Sequence, residues 1–294
     1  MNIVIHRGTH QIGGSAIEIS TASTRIMLDF GNELSLDEKY TPINLDIDGV
    51  TKGLPDCDGI VISHYHMDHL GQLTSALPEI PLYMGELSKE IALIGAEYQD
   101  RCLYLRLLGA NTFRGGDAFS IGDIRIRPLV IDHSAVDSYM FVIEAEGKRA
   151  LYTGDFRMHG LRHHVLDKLV NTYIGEVDVL ITEGTSLSRD ADKYISEAAV
   201  LDDISSYIQD GKYVFIMCSS TNIDRIMGIW QNMPSDKVLI CDAYQKRILD
   251  TVINNVYYES SLYRRHDRPL VLNKGPYPKY YMDHGFVSLV RGTE

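Results

Sequence analysis

Several things that this chain of 294 residues lacks narrow its class. It has no apolar run of about 18 residues, the length that a membrane-spanning helix needs. Its opening, Met1-Asn2-Ile3-Val4-Ile5-His6-Arg7, lacks the basic segment and long apolar stretch of a secretory signal. Cysteine is sparse: Cys57, Cys102, Cys218 and Cys241 lie far apart and form no CxxC pair. They read as reduced thiols of a cytoplasmic protein. Positive charge is short as well, with 28 Lys and Arg against 40 Asp and Glu, a net charge of −12. That excludes a body whose whole surface grips nucleic acid, but not a cleft whose positive charge comes from metal ions. Repeats and low-complexity stretches are absent. What remains, 45% hydrophobic and 23% charged residues, is the balance of a globular enzyme with one large domain or two moderate ones.

The texture changes once along the chain. Up to about residue 185 it reads as short strands with few helices: Asn2 to Ile5, Ser15 to Ser20, Arg25 to Leu28, Gly59 to Ser63, Ala118 to Ser120, Ile124 to Val130, Ser138 to Ala145, Ala150 to Thr153 and Val179 to Thr182. Gly59 to Ser63 is apolar throughout, as a strand buried on both faces is. One helix is predicted over Gly85 to Leu108, from Leu87, Ile91, Ile94, Tyr98, Cys102, Leu105 and Leu108, and Gly109 ends it. From about Ser188 strand and helix alternate. Ser196 to Gln209, Asn222 to Gln231 and Ala243 to Asn254 read as helices, and Tyr213 to Met217 and Lys237 to Ile240 as strands. That alternation predicts a parallel, doubly wound sheet. Tyr257 to Glu294 follows no such pattern.

Seven of the eleven histidines, together with several aspartates, sit in three short stretches, 64–69, 132–133 and 155–164. The densest is His64-Tyr65-His66-Met67-Asp68-His69, directly after the GIVIS strand. Imidazole and carboxylate are ligands that suit zinc. His64 and His66, two apart in an extended turn, point to one side, and Asp68 and His69 reach a second position. This is not the helical HExxH arrangement. One loop does not close two metal sites, so further ligands come from elsewhere. His133 follows the strand ending PLVI, and Asp155 follows the strand ending in YTG. Both stand just past strand ends, as His64 does.

HxHxDH, then a strand-end histidine, then Gly-Asp, resembles the metallo-β-lactamase fold superfamily over roughly residues 1 to 185. Asp29 in RIMLDFG resembles the family's first aspartate, which orients the histidine loop. GTHQIGGS with LDFG, YTGDFRMHG, and Ile181-Thr182-Glu183-Gly184-Thr185 resemble the β-CASP branch, which processes nucleic acids. Glu183 stands in that branch's acidic position. The resemblance implies an α/β protein: a metallo-β-lactamase αββα sandwich over residues 1–187, followed by a partial β-CASP-like α/β cap segment over 188–294.

Carried over residue by residue, the resemblance implies a first metal on His64, His66 and His133, a second on Asp68 and His69, and Asp155 between them. Asp68, Asp155 and Glu183 are the implied catalytic carboxylates. The cofactors expected are two divalent ions, zinc first and manganese as the alternative, which lower the pKa of water and neutralise charge developing on a phosphate. RNA is the expected substrate, ahead of DNA, with no membrane partner and the oligomeric state open. A small ester or thioester hydrolase, or a metal-binding fragment without nuclease activity, are the competing classes. Arg157, His159, Arg162, His163 and His164 are placed to grip phosphates, or form a solvated loop. Two later motif histidines of the branch have no convincing counterpart. His266 and His284 read as surface residues, Arg264 to Arg268 as a solvated face, and the chain as ending inside the cap.

Overall fold

A computed structural model describes residues 1–34, 43–187, 194–255, 270–271 and 279–291. The chain divides into two compact units. The first comprises residues 1–133, 137–158 and 164–189, and the second 134–136, 159–163 and 190–294.

In the first unit, a six-stranded sheet runs β1 (Asn2–Arg7), β2 (Ala16–Ser20), β3 (Arg25–Leu28), β4 (Gly59–Ile62), β5 (Leu82–Gly85) and β6 (Asn111–Phe113) in spatial order. β1, β2 and β3 pair antiparallel, and β3 to β6 pair parallel. Between β4 and β5 lies α1 (Met67–Leu70), and α2 (Glu86–Gln99) and α3 (Arg101–Leu108) precede β6. A second sheet holds β7 (Phe119–Ile121), β8 (Ile124–Ile131), β9 (Ser138–Ala145), β10 (Lys148–Tyr152) and β11 (Val179–Ile181), in the order β11-β10-β9-β8-β7. α4 (His164–Leu169), continued by a π-helical turn (Val170–Ile174), comes before β11.

The period-2 alternation of these strands sends every second side chain between the sheets. Ile17, Ile19, Ile26 and Leu28 meet Ile124, Ile126, Phe141 and Ile143 there, all buried. The opposite face of the second sheet places Leu129, Met140, Val142 and Leu151 against Leu169 and Ile174. α2 packs on β5 and β6. The layers are helix, sheet, sheet, helix: an αββα sandwich.

The single helix expected over Gly85 to Leu108 is two. Asp100 leaves the helical backbone, and its carboxylate accepts hydrogen bonds from the amides of Cys102 and Leu103, capping α3. The axis changes there, so the apolar period does not carry across. Leu87, Ile91 and Ile94 are buried, whereas Tyr98 is 60% exposed and Leu105 54%. Cys102 and Leu108 are also exposed, and Leu103 and Leu107 fill the core in their place.

The second unit carries a sheet with the order β12-β15-β13-β14, built from β12 (Tyr213–Met217), β13 (Val238–Cys241), β14 (Leu270–Val271) and β15 (Phe286–Val290). Every pairing in it is parallel. Its helices are α5 (Glu197–Asp210), α6 (Ile223–Asn232), α7 (Ala243–Asn254) and α8 (Lys279–His284). Ser196 caps α5 by accepting from the Ala199 amide, and Asp242 caps α7 through the Gln245 amide. β15 lies in the tail that the sequence pattern left unassigned. It slots between β12 and β13, in register with both. Arg264 to Arg268, His266 included, lie outside the described residues. His284 is exposed.

Candidate metal centre

Strand direction explains why distant residues meet. β3 and β4 are parallel, so Asp29 and Ser63-His64 leave the first sheet at one end. β8 and β10 are both antiparallel to β9, so His133 and Asp155 leave the second sheet together. β11 runs parallel to β10 and delivers Glu183 to the same end.

Two groups of donors converge within 4.8 Å in the first unit: His64, His66 and His133, and His64, His69 and Asp155. In the first, His66 Nδ1 lies 3.1 Å from His64 Nε2 and 3.2 Å from His133 Nε2. In the second, His69 Nε2 lies 3.3 Å from Asp155 Oδ1, and Asp68 Oδ2 stands 3.6 Å from the same nitrogen. The other Asp155 oxygen faces the first group, 4.0 Å from His133 Nε2. The turn is not extended throughout, because Met67–Leu70 forms α1 and sets Asp68 and His69 on helical backbone.

Neighbouring groups set the ring orientations. Asp29 is fully buried with a left-handed backbone, φ 56°. Its Oδ1 accepts from the Ser63 amide at 2.7 Å, and its Oδ2 accepts from Ser63 Oγ at 2.8 Å and from His69 Nδ1 at 2.7 Å. Ser63 Oγ, with its proton on Asp29, accepts from His64 Nδ1 at 3.0 Å. Both rings therefore turn Nε2 towards the centre, as outer partners of metal-bound histidines do. Sequence reading had named Asp29 but not Ser63 or Tyr152, whose hydroxyl also reaches Asp29.

Close backbone approach holds the loop. The amides of Gly14 and Ser15 both donate to the Asp68 carbonyl at 3.1 Å. Gly31 lies so near that a Cβ there would stand 1.6 Å from that carbonyl oxygen, so only glycine fits. The buried Arg7 guanidinium ties the surrounding loops together by donating to the carbonyls of Gly14, Gly31 and Ile43.

The electrostatics of the two groups differ. Burial, with the neighbouring rings adding to it, holds His64 well below its ordinary value. Burial takes His66 down to about 4 and His133 to about 3. All three are neutral at pH 7, with lone pairs available. Burial also works against charge on His69, but the carboxylates of Asp29 and Asp155 outweigh it and push the ring well above its ordinary value. Burial opposes ionisation of Asp155, yet the hydrogen bond and charge of His69 bring it down to about 2. Burial raises Asp68 and Glu183. Glu183, half-buried, accepts from the Phe156 amide at 3.0 Å.

This donor set fits metal ions. Nitrogens at the ~2.0–2.1 Å typical of zinc, in tetrahedral array, stand about 3.3 Å apart, close to the spacings of the first group. His66 Nδ1 faces both His64 Nε2 and His133 Nε2, and neutral rings supply at most one proton to each contact, so the trio keeps lone pairs that a cation would satisfy.

The basic residues after Asp155 are engaged otherwise. Arg157 Nε donates to the buried Asp132 at 2.8 Å, and Arg162 pairs with the buried Asp224. His163 Nδ1 contacts the Gly160 carbonyl, and the His159 ring packs on Tyr194. The two arginines answer buried carboxylates, each of which demands a cation.

Residues 24–203 match the beta-lactamase superfamily domain, more than half of the chain. With the αββα layers and the histidine-rich loop at the strand ends, the chain belongs to the metallo-β-lactamase superfamily. Its curated relatives assign it to the β-CASP branch. It is 25% identical to Ribonuclease J of Helicobacter pylori over 244 residues, 74% of this chain and 33% of that one. It is 25% identical to Endoribonuclease YSH1 of Gibberella zeae over 281 residues, 88% of this chain and 32% of that one. An RNase J-like protein of Methanocaldococcus jannaschii is 27% identical over 72% of this chain and 49% of its own length. The chain thus spans a third to a half of these relatives. In fold it is similar to a crystal structure of a protein of unknown function from Enterococcus faecalis V583. The TM-score is 0.78 at 19% identity, covering 99% of this chain and 77% of the other. No described helix is long and apolar enough to cross a membrane.

Proposed function

We propose that the chain is a metal-dependent phosphodiesterase that cleaves RNA. The observation that carries this reading is the pair of donor groups around His64, one of neutral imidazoles and one joined to Asp155. The names of the nuclease relatives support RNA as the substrate. Residues 1–187 form the metal-binding domain in this proposal, and residues 188–294 a β-CASP-like cap.

His64, His66 and His133 would hold the first ion, Asp68 and His69 the second, and Asp155, with one oxygen towards each group, would join both. Two divalent ions, zinc or manganese, supply Lewis acidity that lowers the pKa of water and offsets charge on phosphate. The protein's share is positioning. Ser63 and Asp29 keep Nε2 of His64 and His69 directed inwards. Asp68 and Asp155 are acceptors that align a water. Glu183, whose pKa is raised by burial and by the nearby Asp155, would be the carboxyl that relays a proton. Because the ions carry the local positive charge, a net charge of −12 does not keep phosphate away.

The test uses one labelled 5′-monophosphorylated oligoribonucleotide, its DNA counterpart and a generic thioester, each with added zinc or manganese. RNA cleavage that chelation abolishes is expected. Thioester turnover with the RNA intact would replace this reading by the small-ester hydrolase. Metal binding without turnover of any substrate would reduce it to a metal-binding fold.

A further inference from the structure

The geometry points to Tyr152 as a positioning residue of the metal centre: its hydroxyl is the third donor on Asp29 Oδ2, and it locks the carboxylate that orients His69. The inference rests on the metal centre proposed above, and not on the nature of the substrate.

Asp29 Oδ2 accepts from Tyr152 at 2.5 Å, from His69 Nδ1 at 2.7 Å and from Ser63 Oγ at 2.8 Å, while Oδ1 takes the Ser63 amide at 2.7 Å. Four donors fill the acceptor capacity of an ionised carboxylate. Three of them come from the strand end and loop that carry His64 and His69. Tyr152 alone comes from the second sheet. It ends β10, three residues before Asp155. The bond therefore spans the sandwich, tying the sheet that delivers Asp155 to the carboxylate that aims His69 at it. His69 Nε2 and Asp155 Oδ1 stand 3.3 Å apart.

The ring belongs to the apolar layer between the sheets, 4% exposed, with Phe141 at 6.4 Å between centroids. Packing alone would be served by phenylalanine. The Tyr152 hydroxyl, with the Ser15 side chain as its other hydrogen-bond partner, is what the orienting network uses. Without it, Asp29 keeps its donors from Ser63 and His69 and loses the tie to the second sheet, so the carboxylate that aims His69 is held from one side only.

The experiment is zinc titration of metal-free protein, followed through competition with a chelating dye, for wild type, Tyr152→Phe and Phe141→Leu. In Tyr152→Phe the weaker site should lose about ten- to a hundredfold in affinity, the usual effect of an outer-shell partner, while the tighter site stays within about threefold. Phe141→Leu should lower the thermal midpoint and leave both affinities within about threefold, since it disturbs the packing around Tyr152 and not the hydroxyl. Ring nitrogen NMR of zinc-loaded wild type gives a reading that needs no variant: His69 should carry a slowly exchanging proton on Nδ1. Unchanged affinities in Tyr152→Phe, an equal loss in Phe141→Leu, or a His69 ring in zinc-loaded wild type without a proton on Nδ1 would each overturn the inference. Wild type that takes up no zinc would instead overturn the metal centre itself.

Discussion

The two donor groups share His64 and are built on opposite electrostatic plans. Around His66 and His133, burial has removed charge: three neutral imidazoles face one another, and among the described residues no carboxylate pairs with them closer than the 4.0 Å between Asp155 and His133. Around His69, charge is concentrated: Asp29, Asp68 and Asp155 surround one ring and favour a proton on it. A desolvated site made of neutral nitrogens is prepared for a cation at neutral pH. A site already holding a proton must release it to take one up. The lesson is that one loop of six residues supplies two sites of unequal readiness, because its first two histidines face imidazoles and its last faces acids.

The comparison is broken most severely at His66, whose nitrogen lies between those of His64 and His133. His66→Ala should lower bound metal from two ions to one and reduce hydrolysis by more than the hundredfold that loss of an outer partner typically costs. Metal analysis after dialysis checks it, and unchanged stoichiometry would remove the first site from this account.

A pH series separates the groups next. The carboxylates of Asp29 and Asp155 raise the His69 pKa against burial, so the ring favours a proton that ion uptake must displace. Affinity of the second site should therefore fall as the pH drops from 8 to 6, whereas the first stays level there, since His66 and His133 titrate only near 4 and 3. Parallel pH profiles for the two ions would contradict this.

At a fixed pH of 7 the second site should be the weaker, because its ion competes with a proton. Calorimetric titration reads it directly. Two equally tight sites would mean that a ligand outside both groups completes the second.

Much of the centre was legible because metal ligation uses few side-chain types. His64, His66, His69, His133 and Asp155 each follow a strand signal, and strand ends are where a layered α/β fold gathers its polar groups. The supports were harder to read. Ser63 is an ordinary serine at the end of a buried strand, and Tyr152 an ordinary aromatic in one. Nothing local distinguishes them from core residues until Asp29 is placed between them. The arginines after Asp155 left a phosphate grip and a solvated loop both open. Their spacing suggests a phosphate grip, but Asp132, which pairs with Arg157, and Asp224, which pairs with Arg162, lie 25 and 62 residues away in the chain.

The amino-acid sequence by itself determined what is local: the alternation that makes strands, the side chains of Ser196 and Asp242 that start helices, and the donor types crowded after β4. Only the tertiary structure decided what depends on distant partners. Asp100 splits one apparent helix because its backbone is extended and its carboxylate caps α3, a break that the apolar spacing of the sequence does not mark. β15 joins the second sheet between β12 and β13, since parallel pairing relates residues some 50 to 70 apart and leaves no trace in local periodicity. The difference between the two metal groups is of the same kind. A histidine carries no mark of its own pKa; burial and the carboxylates within a few ångströms set it, and folding alone brings those together.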